Sequence, residues 1–197
     1  MLKPKQERSK QRIKTILETA EQILLDEGLD ALTIANISKY SGLKRTSTYK
    51  FFPTADSLKE TLIEEYLLDS ANFFKEKSHN INTDQLSVVI LRCVEILYDY
   101  FHENEASQLI ILQNTVTPPV HASVINKLSA NIQSFVESNI KLPGMYNKDG
   151  IYRVLTQIII SIFSLNVKES NALNETGKIE AHRAGHAYML NWVNQSS

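Results

Sequence analysis

The sequence predicts an all-α protein of about nine helices, with a three-helix head that carries a helix-turn-helix and a larger helical body behind it. Three observations predict it. Apolar residues recur at three- and four-residue spacing through most of the 197 residues, with no strand-like alternation of any length. Two short helical patterns flank Ser41-Gly42-Leu43, a tight-turn signal. The helix after that turn crowds together groups that hydrogen-bond outward, from Lys44 and Arg45 through Thr46, Ser47, Thr48 and Tyr49 to Lys50.

Each element has its own local reason. Residues 1–8 read as an arm, and from Ser9 the stripe Ile13, Ile16, Leu17, Ala20, Ile23, Leu24 marks a first helix that Gly28 ends. After the connector Leu29 to Leu32, Thr33 caps a second helix that turns Ile34 and Ile37 inward. Gly42 supplies the turn and Leu43 anchors it; a third helix over about 44–52 stops at Pro53. Thr54 caps a long fourth helix, about 55–77, with Asp56 in its first turn. The polar run 78–84 is the internal break. Beyond it, Leu86 to Phe101 forms an apolar stripe, and a short helix spans about 106–116. Thr117-Pro118-Pro119 restarts the chain with a cap and a proline in the first helical turn, toward about 142. Pro143-Gly144 turns, 149–168 is strongly apolar, and Gly177 precedes a last helix to about 194. The expected division is a DNA-binding domain over 1–55 and a sensing and dimerisation domain over 56–197.

Composition narrows the class. The single cysteine, Cys93, rules out a disulfide framework and fits a reducing, cytoplasmic setting; on the apolar face of its helix it reads as an inert buried thiol. The basic start is followed by an amphipathic pattern and not by a signal core, and the apolar run 154–167 reads as too short and too polar to span a bilayer. No membrane association is therefore expected. Residues 1–60 hold eleven Lys and Arg against eight Asp and Glu, and the remainder ten against fourteen. A basic front on an acidic body suits a protein that meets a polyanion with one end.

A groove-reading helix needs Arg to fork to guanine, hydroxyls to bond base edges, and cations or hydroxyls for phosphates. Arg45, Thr46, Ser47, Tyr49 and Lys50 supply these within six residues. The pattern Ala31-Leu32-Thr33-Ile34, Ile37-Ser38, Ser41-Gly42-Leu43, Thr48-Tyr49, Phe52, Asp56 and Leu58 resembles the head of the tetracycline-repressor (TetR/AcrR) family. The resemblance covers about residues 9–66. It implies a homodimeric transcriptional regulator, most often a repressor, that binds palindromic double-stranded DNA and answers to a small-molecule ligand. Carried over by position, Thr33 would cap the second helix and touch a phosphate. Arg45, Thr46 and Ser47 would face bases, and Tyr49 and Lys50 would hold the backbone. Three positions depart from the family. Lys44 stands where a capping side chain is usual, Thr46 where a small or special residue is usual, and Ala55 where a lysine contacts phosphate. Lys44 and Lys50 could stand in for the missing contact.

In the body, the helix over 149–168 is apolar on more than one face and the last helix carries small residues. The expected dimer interface is Ile151, Leu155, Ile159 and Phe163 with Ala181, Ala184, Gly185 and Tyr188; an intrachain core is the other reading of the same residues. Candidate ligand-pocket residues are Tyr66, Tyr98, Phe101, His102, Gln113 and His121, for which ordinary packing is again the alternative. His182 and His186 lie one helical turn apart, but no carboxylate or cysteine cluster accompanies them, so no metal and no cofactor is expected. No nucleophile–base pair, phosphate loop or paired-carboxylate motif points to an enzyme. The competing reading is a helical sensor or interaction protein with weakened DNA binding.

Overall fold

The computed structural model describes residues 4–113 and 122–195, and within them the chain is helical with no strand. The head comprises α1 (Pro4–Glu27), a 3-10 turn (Leu29–Ala31), α2 (Ile34–Ser41) and α3 (Arg45–Phe51). The link is α4 (Ala55–Lys77). The body holds α5 (Leu86–Glu103), α6 (Glu105–Ser107) running into a π-helical stretch (Gln108–Leu112), α7 (Ala122–Asn139), α8 (Lys148–Ser170) and α9 (Glu175–Gln195). These are nine α-helices among the described residues.

Two starts differ from the sequence expectation. The first helix begins at Pro4, not Ser9, because proline in a first turn costs no hydrogen bond and Glu7 there favours the positive end of the helix dipole. The expected arm is thus largely helix. Gly177 lies inside α9, not before it: the helix opens at Glu175, and Asn174 Oδ1 accepts from the Thr176 N–H at 3.0 Å. A side chain at Gly177 would put its Cβ 2.6 Å from Asn166 Oδ1, so the glycine is there for close approach to α8. The restart at Thr117-Pro118-Pro119 lies outside the described residues, and the helix after it ends at Asn139, short of 142.

The core is continuous from head to body. Ile16, Ala20, Leu24, Leu32 and Ile37 of the head are fully buried together with Leu58 of the link. In the body α8 is central: it packs against α7 on one side and α9 on the other, and α5 packs against α9. Phe163 of α8 meets both Tyr98 and Phe101 of α5 edge-on at 6.3 Å. Polar cross-links tie α4 into this body. The Tyr100 hydroxyl donates to the Tyr66 carbonyl at 2.7 Å, and the Asn131 amide of α7 donates to the Ala71 carbonyl at 2.7 Å.

By length and composition alone α8, at 23 residues, is apolar enough to cross a membrane, so the sequence judgement on its length was too strict. Half of its most apolar window is buried inside this fold, and Thr156 and Asn166 are buried with it. That burial is what an all-round apolar helix needs when it is the middle of a bundle.

Candidate nucleic-acid interface

The helix-turn-helix is assembled by capping and by one partly buried hydrogen bond between its two helices. Thr33 sits in extended backbone and its hydroxyl accepts from the Asn36 N–H at 3.2 Å, which starts α2. Gly42 ends α2 with φ 68°, a left-handed turn that a side chain would strain. The Ser41 hydroxyl accepts from the Leu43 N–H at 3.2 Å and holds the turn. Then α3 is seated by Thr48, which is completely buried and shares a 3.2 Å hydroxyl–hydroxyl bond with Ser38 of α2. The sequence reading placed Thr48 among the outward groups; it is the one that turns in. Its neighbours define the opposite face. Lys44, Arg45, Thr46, Tyr49 and Lys50 are exposed, and Ser47 is half-buried beside them.

That face carries a preformed pair. The Arg45 guanidinium lies 5.4 Å from the centre of the Tyr49 ring and donates to its hydroxyl at 3.2 Å. The contact steadies the arginine one helical turn from its own Cα and leaves further N–H groups for an acceptor. The start of α3 lacks a side-chain cap, since Lys44 cannot accept a hydrogen bond. Its first amides are therefore open to an anion. By contrast α4 starts with a complete capping box between Thr54 and Ser57, with N–H to hydroxyl distances of 3.0 and 3.3 Å. Ala55 and Asp56 follow, so this helix end offers backbone amides but no cation.

The other predicted sites fare differently. Ile151, Leu155, Ile159, Phe163, Ala181 and Gly185 are all buried inside their own chain. A Cβ on Gly185 would meet Leu155 at 3.2 Å and Ile90 at 3.4 Å, so its smallness serves the packing of α9 on α8 and α5. Of the eight residues expected at a dimer interface, six are packed in this chain's own core, and Ala184 and Tyr188 keep partial exposure. The outward apolar residues of the pair are Val154 and Leu165 on α8 and Ile179 and Leu190 on α9.

The expected ligand residues do not converge. Phe101 is fully buried, His102 and Gln113 are exposed, and Tyr98 stacks on His102 with Lys178 over its ring. Tyr66 lines a separate cleft between α1 and α4. His121 lies outside the described residues. Cys93 is fully buried and its thiol is pushed far above the ordinary range by desolvation, which makes it a poor nucleophile. His182 Nε2 lies 3.0 Å from the Ser87 carbonyl, a contact that fastens α9 to α5.

The architecture therefore defines a class: an all-α protein with a helix-turn-helix head joined by one long helix to a bundle body. More specifically, it is the fold of TetR-family transcriptional regulators. A TetR-family regulator from Streptomyces coelicolor matches with a TM-score of 0.67 at 15% identity, over 93% of this chain and 98% of the other. One from Rhodococcus sp. RHA1 matches at 0.68 and 15%, over 94% and 98%. RolR, in complex with its ligand resorcinol, matches at 0.69 and 13%, over 92% and 88%. No family model and no curated protein matches the sequence.

Proposed function

We propose that the protein is a sequence-specific DNA-binding transcriptional regulator, acting in the cytoplasm as a repressor whose affinity for a palindromic operator changes with a small ligand. The observation that carries this reading is the division of α3 into a buried anchor at Thr48 and an exposed row at Arg45, Thr46, Tyr49 and Lys50. A row of donors on a short helix after a tight turn has the geometry that enters a major groove. The exposed cations of Lys44 and Lys50 would give the phosphate contact that Ala55 cannot.

Two copies are needed to read two half-sites. The outward face of α8 and α9, with Val154, Leu165, Ala184, Tyr188 and Leu190, is the surface that would join them. Ligand responsiveness rests on the fold: the RolR structure holds resorcinol, and a mostly apolar molecule of that kind suits a body with so aromatic an interior. An electrophoretic shift with fragments from upstream of the gene tests the reading. Specific retardation that weakens steeply between 50 and 200 mM salt is expected, by roughly a thousandfold or more for six or more phosphate contacts. Equal, weak binding to every fragment would instead favour a helical interaction protein.

A further inference from the structure

Residues 31–55, which hold both helices of the helix-turn-helix, contain the basic residues Lys39, Lys44, Arg45 and Lys50 and no aspartate or glutamate. Arg45 thus has no carboxylate on its own helix or on α2, and it makes no ion pair among the described residues. Its partner is Tyr49. The guanidinium lies 5.4 Å from the ring centre, and Nη2 donates to the hydroxyl at 3.2 Å. Both side chains are exposed. A carboxylate would orient the guanidinium but cancel its charge and compete with any acceptor on DNA. A phenol orients it and leaves the charge whole. The N–H groups left over keep the planar fork that matches two acceptors at once. In the major groove the pair of acceptors that suits this fork is guanine O6 and N7. A free surface arginine gives up rotamer freedom to bind there, and one already resting on a ring gives up less.

We propose that Tyr49 is a positioning residue for Arg45, and that the pair selects a guanine in each half-site. This rests on the DNA-reading function proposed above and adds to it the base chosen and the residue that enforces the choice. Tyr49 acts through the arginine. Its ring and hydroxyl restrict the guanidinium to one place on the face of α3, where the fork meets a base edge. Without them the guanidinium is free to reach phosphate oxygens, which any sequence supplies. The phenol still has its own hydrogen to donate to the backbone, a contact that would strengthen all sequences alike.

The test starts from the motif that the wild-type chain selects from a random-sequence DNA pool. Affinities are then measured for operators carrying each of the other bases at the guanine, or 7-deazaguanine, which lacks the N7 acceptor. Wild type should lose roughly tenfold on these replacements. Tyr49→Phe, which keeps the ring and removes the hydroxyl, should cut that preference by roughly fivefold. Tyr49→Leu should cut it at least as far. The readout is a ratio between sequences, so any phosphate contact of the hydroxyl cancels. The salt slope should not change with Tyr49→Phe, because no charge is removed. In the Arg45→Ala background, Tyr49→Phe should cause no further loss of preference. A preference that survives Tyr49→Phe, losses from the two substitutions that simply add, or a motif with no guanine that Arg45→Ala relaxes would each overturn the proposal and leave the protein a DNA reader. A wild-type chain that selects no motif would overturn both.

Discussion

The exposed face of α3 and the α8–α9 pair were expected to do the same kind of job, presenting a surface to a partner, and they differ in how the chain uses them. On α3, Thr48 is buried, Ser47 and Phe51 are half-buried, and Arg45, Thr46, Tyr49 and Lys50 face out. On α8, the apolar residues in register, Ile151, Leu155, Ile159 and Phe163, are consumed by the chain's own core, and a thinner outer stripe is left over. A short helix on the surface can spare most of its residues for a partner. A central helix must first satisfy its own neighbours.

The sharpest way to break that comparison is to truncate α8 inward. Phe163→Ala should destabilise the chain by about 3–5 kcal/mol, seen as a large loss of thermal midpoint, because it empties a fully buried aromatic site. If Phe163 were interfacial instead, the loss would depend on protein concentration. Next in size, Arg45→Ala should cost about 1–3 kcal/mol of DNA affinity with the thermal midpoint unchanged, because the side chain leaves solvent and not the core. A fall in stability of the same size would place Arg45 in the fold and not in the groove.

Smaller effects separate positioning from reading. Thr48→Val removes the hydroxyl shared with Ser38 and should cost about 1 kcal/mol of stability, checked by urea denaturation. Lys50→Ala should lower the salt slope of DNA binding by about one unit and weaken all sequences alike.

The smallest effect lies at the α1–α4 cleft. The folded carboxyl of Glu65 titrates above its unfolded value, so the unfolded chain loses this proton first as pH rises. Ionising Glu65 therefore works against the fold at neutral pH, and the penalty fades as pH falls below the usual carboxylate range. Glu65→Gln should raise the thermal midpoint slightly at pH 7 and leave it unchanged near pH 3.5. A stabilisation that persisted at low pH would assign the effect to something other than charge.

How much the sequence revealed follows the same division. The helix-turn-helix was legible because its signals are local: Thr33 as a cap, Gly42 as a left-handed turn, Pro53 and Thr54 as stop and start. The orientation of Thr48 was not, because a hydroxyl residue in an amphipathic helix reads as polar until its partner, ten residues away, is known. The all-round apolarity of α8 correctly called for burial on several sides, but hydrophobicity does not say whether the cover comes from the same chain or from a copy. The α1–α4 cleft joins Glu21 to Glu65 across two helices, and nothing in either helix alone marks it. The π-helical stretch at 108–112 has no sequence signal that we can name.

The central claim is that α3 reads a groove as half of a two-fold pair. Selection of bound fragments from a random-sequence DNA pool, carried out in parallel with wild type and Arg45→Ala, tests it without a known operator. The account predicts that wild type enriches a palindrome whose half-site centres lie about 10 base pairs, or a whole number of turns, apart, and that the substitution relaxes the choice of base at one position in each half. A pool that stays random with wild type, or the same motif enriched equally by both proteins, would contradict it.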